Sequence, residues 1–219
     1  MKIQAAIFDM DGTLIDSLLL WEQIWQALGA RYRDSSFVPD PVDDRAVRTM
    51  TTAAAMDYIH HRYGMGDSAE ELLVLANDMI RNFYAQEVQL KAGARELLEH
   101  YRRAGVRMCV ASATAADLIE VAVQHCGIRH YFERIFSCAD LGVGKDVPDV
   151  YLQAQEYLGT PTEETWVFED SLTALYTAAG IGLPTVGIYD RHNDRQDQIA
   201  AVATVYVGAE ETLRKLTEL

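Results

Sequence analysis

Two aspartates, Asp9 and Asp11, stand two residues apart where a short apolar run, Ile3 to Phe8, breaks into the polar loop Asp9-Met10-Asp11-Gly12-Thr13. Residues at that spacing at the end of an extended segment project to the same side, so both carboxyl groups can enter one crevice. One carboxylate can attack phosphorus to give an aspartyl phosphate, while a second carboxyl group donates a proton to the leaving oxygen and then activates water. Asp9 is the candidate nucleophile and Asp11 the candidate acid/base. Gly12 permits a sharp departure from the strand, and the Thr13 hydroxyl can orient the loop.

Two carboxylates facing a phosphate dianion repel it, so this chemistry needs a compensating cation. Magnesium suits oxygen ligands and keeps several of its waters. The pair Glu169-Asp170 follows another apolar run, and Asp170 with Asp9 and the backbone carbonyl of Asp11 makes the expected ligand set, Glu169 joining directly or through water. Such an ion would screen the repulsion and stabilise charge on the transferring oxygens. Ser112, at the end of the run Val106 to Ala111, can hold phosphate with its hydroxyl and neighbouring backbone N–H groups. Lys145, in Gly142-Val143-Gly144-Lys145, adds a positive point charge on a loop that the glycines allow to turn inward.

The elements that must position these residues alternate. Ile3 to Phe8, Val106 to Ala111, Thr165 to Phe168, Pro184 to Tyr189 and Ala203 to Val207 are short, apolar or β-branched, and separated by helical patterns. This predicts an α/β fold, a Rossmann-like parallel sheet flanked by helices, with ligands collecting beyond the carboxyl ends of the strands. Helices are expected over Ala94 to Tyr101, stopped by Gly105, and after Ser171, stopped by Gly180. The first two strands lie almost one hundred residues apart, far more than one crossover helix needs. Residues 16–88 are therefore assigned to an inserted α-helical cap domain, and residues 1–15 with 89–219 to the core. Leu18, Trp21, Trp25 and Leu28 form one apolar stripe of the insert, and Leu72, Leu75, Ala76, Met79, Ile80 and Phe83 another. Ser68 to Glu71 reads as a capping box, and Arg31 to Asp44 as a loop.

With 33 acidic against 19 basic residues the net charge is -14, which opposes binding to a polyanionic backbone. No stretch approaches the ~20 apolar residues of a membrane span, and the N-terminus lacks the pattern of a secretion signal. Cys109, Cys126 and Cys138 show no metal-site or redox spacing. A reduced, cytoplasmic setting is expected, with a small phosphorylated metabolite as partner, no nucleic acid, no membrane, and a monomeric state.

The ordered motifs resemble the haloacid-dehalogenase superfamily, in its branch with a helical cap inserted after the first strand. Phe8-Asp9-Met10-Asp11-Gly12-Thr13-Leu14 resembles the first family motif, Ser112 the second, Lys145 with Pro148 and Tyr151 the third, and Phe168-Glu169-Asp170-Ser171 the fourth. The resemblance covers nearly the whole chain. It implies that Asp9 is phosphorylated, Asp11 shuttles protons, Ser112 and Lys145 secure phosphate, and Asp170 helps hold magnesium. Asp146 stands where a proline commonly follows the lysine, Ala92 replaces a common proline, and Ala174 a frequent glycine.

The bland alternatives are distinct. Asp-x-Asp-Gly alone also suits a solvated turn or a calcium-binding fragment. Glu169-Asp170 alone suits a helix start, Ser112 a cap, and Lys145 a surface charge. Trp21 and Trp25 read as cap-core residues, and Arg45, Arg48 and Thr49 to Thr52 suit a solvated helix start as well as cap contacts. The expected activity is magnesium-dependent hydrolysis of a small phosphorylated metabolite, such as a sugar phosphate, through an aspartyl phosphate. A sugar phosphomutase resembling β-phosphoglucomutase is the alternative, but Arg48 to Thr52 lacks the arginine pattern associated with it. Dehalogenation would need neither the Asp11 proton nor magnesium. A catalytically silent phosphate-ligand sensor is the non-enzymatic reading.

Overall fold

The computed structural model describes residues 2–193 and 195–218. Among them six strands form one parallel sheet: β1 (Ala5–Phe8), β2 (Arg107–Ser112), β3 (Arg134–Ser137), β4 (Thr165–Glu169), β5 (Thr185–Ile188) and β6 (Val205–Val207). Their spatial order is β3-β2-β1-β4-β5-β6. The site-bearing strands β1, β2 and β4 are therefore central neighbours, with Phe8 in register with Val110 on one side and Phe168 on the other. Strand β3 escapes the sequence pattern because it offers only Ile135 and Phe136 as apolar residues, too few to show a period.

Alternation along the strands divides the core into two layers. Ala6, Phe8, Met108, Val110 and Phe168 face helices α5 (Ala94–Arg103) and α6 (Ala116–His125). Ala5, Ile7, Cys109, Ala111 and Val167 face α8 (Asp149–Leu158) and α9 (Leu172–Gly180). The rings of Phe8 and Phe168 stack across the strand pair with centroids 4.4 Å apart. That pairing contributes about 0.5–1.5 kcal/mol beyond the area it buries. The short α7 (Cys138–Leu141) follows β3, and α10 (Gln196–Val202) links β5 to β6.

The insert between β1 and α5 holds four helices, α1 (Leu20–Tyr32), α2 (Pro41–Val47), α3 (Thr52–Tyr63) and α4 (Ala69–Gln86). Part of the expected loop from Arg31 to Asp44 is thus helical. Asp40 accepts the Val42 amide at 2.7 Å and Pro41 occupies the first helical position, a start signal strong enough to override the polar composition. Only half of the expected capping box forms. The Ser68 hydroxyl accepts the Glu71 amide, but the Glu71 carboxylate serves Asp67 and the Tyr32 hydroxyl instead. The helix after Ser171 includes Gly180, and the positive φ that ends it falls on Gly182. The two chain crossings into and out of the insert pair antiparallel, with Asp16 donating to Gln89 and Lys91 to Leu14, both at 2.9 Å.

Inside the insert, the buried Asp43 of α2 is the clasp to α3. Its carboxylate accepts the hydroxyls of Tyr58 at 2.6 Å and Tyr63 at 2.7 Å and the Arg62 guanidinium at 3.0 Å. The Tyr58 hydroxyl bond, followed by that from Tyr63, lowers its pKa to about 2. A carboxylate depressed in the folded state stabilises above its unfolded pKa of about 3.9 and loses that contribution as pH falls through the folded value. Asp43→Asn should accordingly lower the melting temperature at pH 7, with the gap to wild type closing between about pH 4 and pH 2. Thermal melts across that range check this, and a gap independent of pH contradicts it.

Candidate active site

The sheet delivers four of the six sequence candidates to one edge. Asp9 follows β1, Ser112 ends β2, and Glu169 ends β4 with Asp170 directly after it. The Asp9 amide donates to the Phe168 carbonyl at 2.9 Å, which locks its backbone to β4. Lys145 arrives from the loop between α7 and α8 and is buried, its ammonium hydrogen-bonded to both Asp9 Oδ1 and Glu169 Oε1. Asp11 reaches the same cavity of about 90 Å³, which Asp9, Ser112, Lys145, Glu169 and Asp170 also line.

Gly12 makes the first loop possible. Its φ is +76°, and a Cβ there would lie 2.5 Å from Asp170 Oδ2 and 2.9 Å from Leu18. Only glycine satisfies both the backbone and the space. The Thr13 hydroxyl, expected to orient this loop, donates to Asp170 Oδ1 at 3.1 Å.

Carboxylate oxygens of Asp9, Glu169 and Asp170 lie within 4.8 Å of one another, and all three residues are buried. With one ammonium among them, the cluster carries a formal surplus of two negative charges. Burial raises the Asp9 pKa well above the carboxylate range, Lys145 opposes this, and Glu169 and Asp170 add to it. Burial, with the nearby Glu169, also pushes Asp170 up to about 7. Desolvation works against the Lys145 charge, but Asp9 and Glu169 outweigh it and hold the ammonium protonated. Three hard oxygen donors with surplus negative charge fit a magnesium ion. Glu169 is the least available of them, because its Oε1 already accepts Lys145 and the Tyr151 hydroxyl at 2.9 Å.

The Asp11 carboxylate is not among these three grouped ligands. It accepts hydroxyls from Ser17 at 2.6 Å and Tyr84 at 2.5 Å on Oδ1, and from Thr114 at 3.0 Å on Oδ2. As a metal residue it is thus left with the backbone carbonyl, the atom its sequence position suggested. The donors come from the crossing into the insert, from α4 and from the loop after β2. The Ser112 hydroxyl accepts the Thr114 amide at 3.1 Å, so one turn serves both the phosphate candidate and Asp11.

Several residues of the site were not legible as such. Tyr84 continues the buried face of α4 through Leu72, Ala76, Ile80 and Phe83, whereas Leu75 and Met79 of the expected stripe are only partly buried. A hydroxyl on an apolar face demands a partner, and that was the available signal. Trp25 belongs to the insert's core, donating to Asp44 at 2.8 Å, but Trp21 is only partly buried and lines the cavity. Arg48 is not part of a solvated helix start. It is nearly buried, donates to Asp44 at 3.0 Å and to the Leu18 carbonyl at 2.9 Å, and joins Thr49, Met50 and Thr52 in the cavity wall. Asn193, after β5, donates to Asp170 and had no sequence signal at all.

Comparison with known proteins matches residues 3–182 to the haloacid dehalogenase-like hydrolases. A phosphorylated carbohydrates phosphatase from Thermotoga maritima is 23% identical over 218 residues, covering 99% of this chain and all of the relative. The protein CbbY of Cereibacter sphaeroides is 28% identical, covering 99% of this chain and 94% of the relative. The crystal structure of CbbY from Rhodobacter sphaeroides in complex with phosphate superposes with a TM-score of 0.80 at 23% identity, over 94% of this chain and 93% of that one.

A hydrogen bond to a charged group contributes about 1.5–3 kcal/mol, equivalent to roughly a 10- to 150-fold effect when it orients a reacting group. Tyr84→Phe should lower kcat for an aryl phosphate within that range, with the protein still folded and its melting temperature lowered by only several degrees. Steady-state kinetics with a melting curve check this, and an undiminished kcat contradicts it.

Proposed function

The chain belongs to the haloacid dehalogenase-like hydrolases, and from that premise we propose that it is a magnesium-dependent phosphatase hydrolysing a small phosphorylated metabolite, a sugar phosphate or similar monoester. The observation that carries this reading is the buried convergence of Asp9, Lys145, Glu169 and Asp170, with Asp11 beside them in the same cavity. The names of the relatives, a phosphatase of phosphorylated carbohydrates among them, agree with the substrate class.

Asp9 attacks phosphorus, an aspartyl O–P bond forms, and the ester P–O bond breaks. Asp11 donates its proton to the departing alcohol oxygen. It then takes a proton from water, which attacks the same phosphorus and breaks the bond to Asp9, releasing phosphate. Lys145 and Ser112 hold the phosphoryl oxygens throughout. Asp9, Asp170 and the Asp11 carbonyl, with Glu169 behind them, would hold magnesium, which supplies charge neutralisation for the incoming dianion. Residues 16–88 act as a cap over the core formed by 1–15 and 89–219, and Trp21, Ile24, Arg48 and Met50 meet the alcohol portion. Arg48 donates to Asp44 and to the Leu18 carbonyl, so part of its guanidinium serves the insert itself.

The test is phosphate release from an aryl phosphate and a panel of phosphorylated metabolites. Wild type should release phosphate, lose activity with a chelator and regain it with magnesium, and Asp9→Asn should be inactive by a factor of about 10⁴ or more. Equal release by both proteins defeats the nucleophile assignment. Interconversion of hexose monophosphates with little free phosphate selects a mutase instead.

A further inference from the structure

The segment after β5, Tyr189 to Asn193, touches both crossings to the insert, helix α1 and Asp170 of the candidate site. Its fixed point is Asp190, which is buried and paired with Lys91 at 2.7 Å. Asp190 also shapes the turn: its Oδ1 accepts the His192 amide at 2.8 Å, and its carbonyl accepts the Asn193 amide at 3.1 Å and the Gln196 side chain at 2.9 Å. Lys91 adds a bond to the Tyr189 carbonyl at 2.8 Å. The turn is thus fastened to the crossing that leaves the insert.

Two further contacts reach the other crossing and the insert itself. Arg191 pairs with Asp16 at 3.1 Å, and His192 Nδ1 meets Glu22 of α1 at 3.0 Å. Both pairs include exposed carboxylates, so they are weak and can be exchanged. At its end the segment turns to the site. The Asn193 amide nitrogen donates to the Asp170 carbonyl at 3.1 Å and to Asp170 Oδ2. Both partners are oxygens, which fixes the amide orientation. With Thr13 on Oδ1, the Asp170 carboxylate is held from two sides.

We infer that Asn193 is a positioning residue for the metal ligand Asp170, and that its segment couples the aim of that carboxylate to the seating of α1 through His192 and Glu22. Groups that orient a metal ligand from behind change metal affinity by about 10- to 100-fold when removed. The inference rests on the metal role proposed above for Asp170.

The test reads metal binding without turnover, by electron paramagnetic resonance titration of Mn²⁺ into phosphate-free protein, with melting curves in metal-free buffer. Asn193→Ala and the near-isosteric Asn193→Leu should each bind Mn²⁺ about 10- to 100-fold more weakly than wild type, each still melting in one cooperative transition well above the titration temperature. Glu22→Gln should weaken binding a few-fold in the wild-type background and have no effect in the Asn193→Ala background. Wild-type affinity in both Asn193 variants overturns the positioning role. A Glu22 effect that is absent, or equal in both backgrounds, overturns the coupling. Wild-type affinity in Asp170→Asn would instead remove the metal reading beneath the inference, so the two failures are told apart.

Discussion

Lys145 sits buried between Asp9 and Glu169, with Asp170 close behind, so one ammonium faces three carboxylates in a place that water barely reaches. Burying like charges together is costly unless they are paired. The cost appears as the upward displacement of Asp9 and Asp170 from the usual carboxylate range. A phosphate ester adds still more negative charge. On the reading proposed above a divalent cation would offset that charge, and the donors grouped here are the hard oxygens such an ion takes.

The sheet is what holds that imbalance in place. Asp9 and Glu169 extend adjacent strands whose register is fixed by Phe8 against Phe168, and Ser112 extends the strand on the other side. Their relative positions are therefore set by backbone pairing and by a close-packed ring stack rather than by the charges themselves. Asp11 lies one step outside this rigid frame. Its hydroxyl partners belong to three different elements, one of them α4 of the insert, so the placement of Asp11 depends on how the insert is seated.

The sequence made the strand-end residues legible because a buried parallel strand announces itself as an apolar run, and the residue that breaks the run is the one at the crevice. Asp9, Ser112, Glu169 and Asp170 were found this way, and Gly12 and Lys145 from their loops. Strand β3 was not, because its two apolar residues, Ile135 and Phe136, are too few to carry a period. Tyr84, Arg48 and Asn193 stand in the last turn of α4, at the end of α2 and in an irregular turn. Their roles depend on which elements meet in space, and no local spacing encodes that. Asp43 was hidden for the same reason, its three partners lying 15 to 20 residues further along the chain.

The assignment of Asp9 as the group that takes the phosphoryl is the claim from which the other roles follow. It is tested most directly by acid-quenching Asp11→Asn during reaction with an aryl phosphate and mapping the protein by mass spectrometry. Without the base that activates water, the intermediate should persist, and the peptide containing Asp9 should gain the mass of one phosphoryl group at Asp9 itself. A phosphoryl group found on another residue, or none on the protein while the aryl alcohol is released in a burst, would contradict the account.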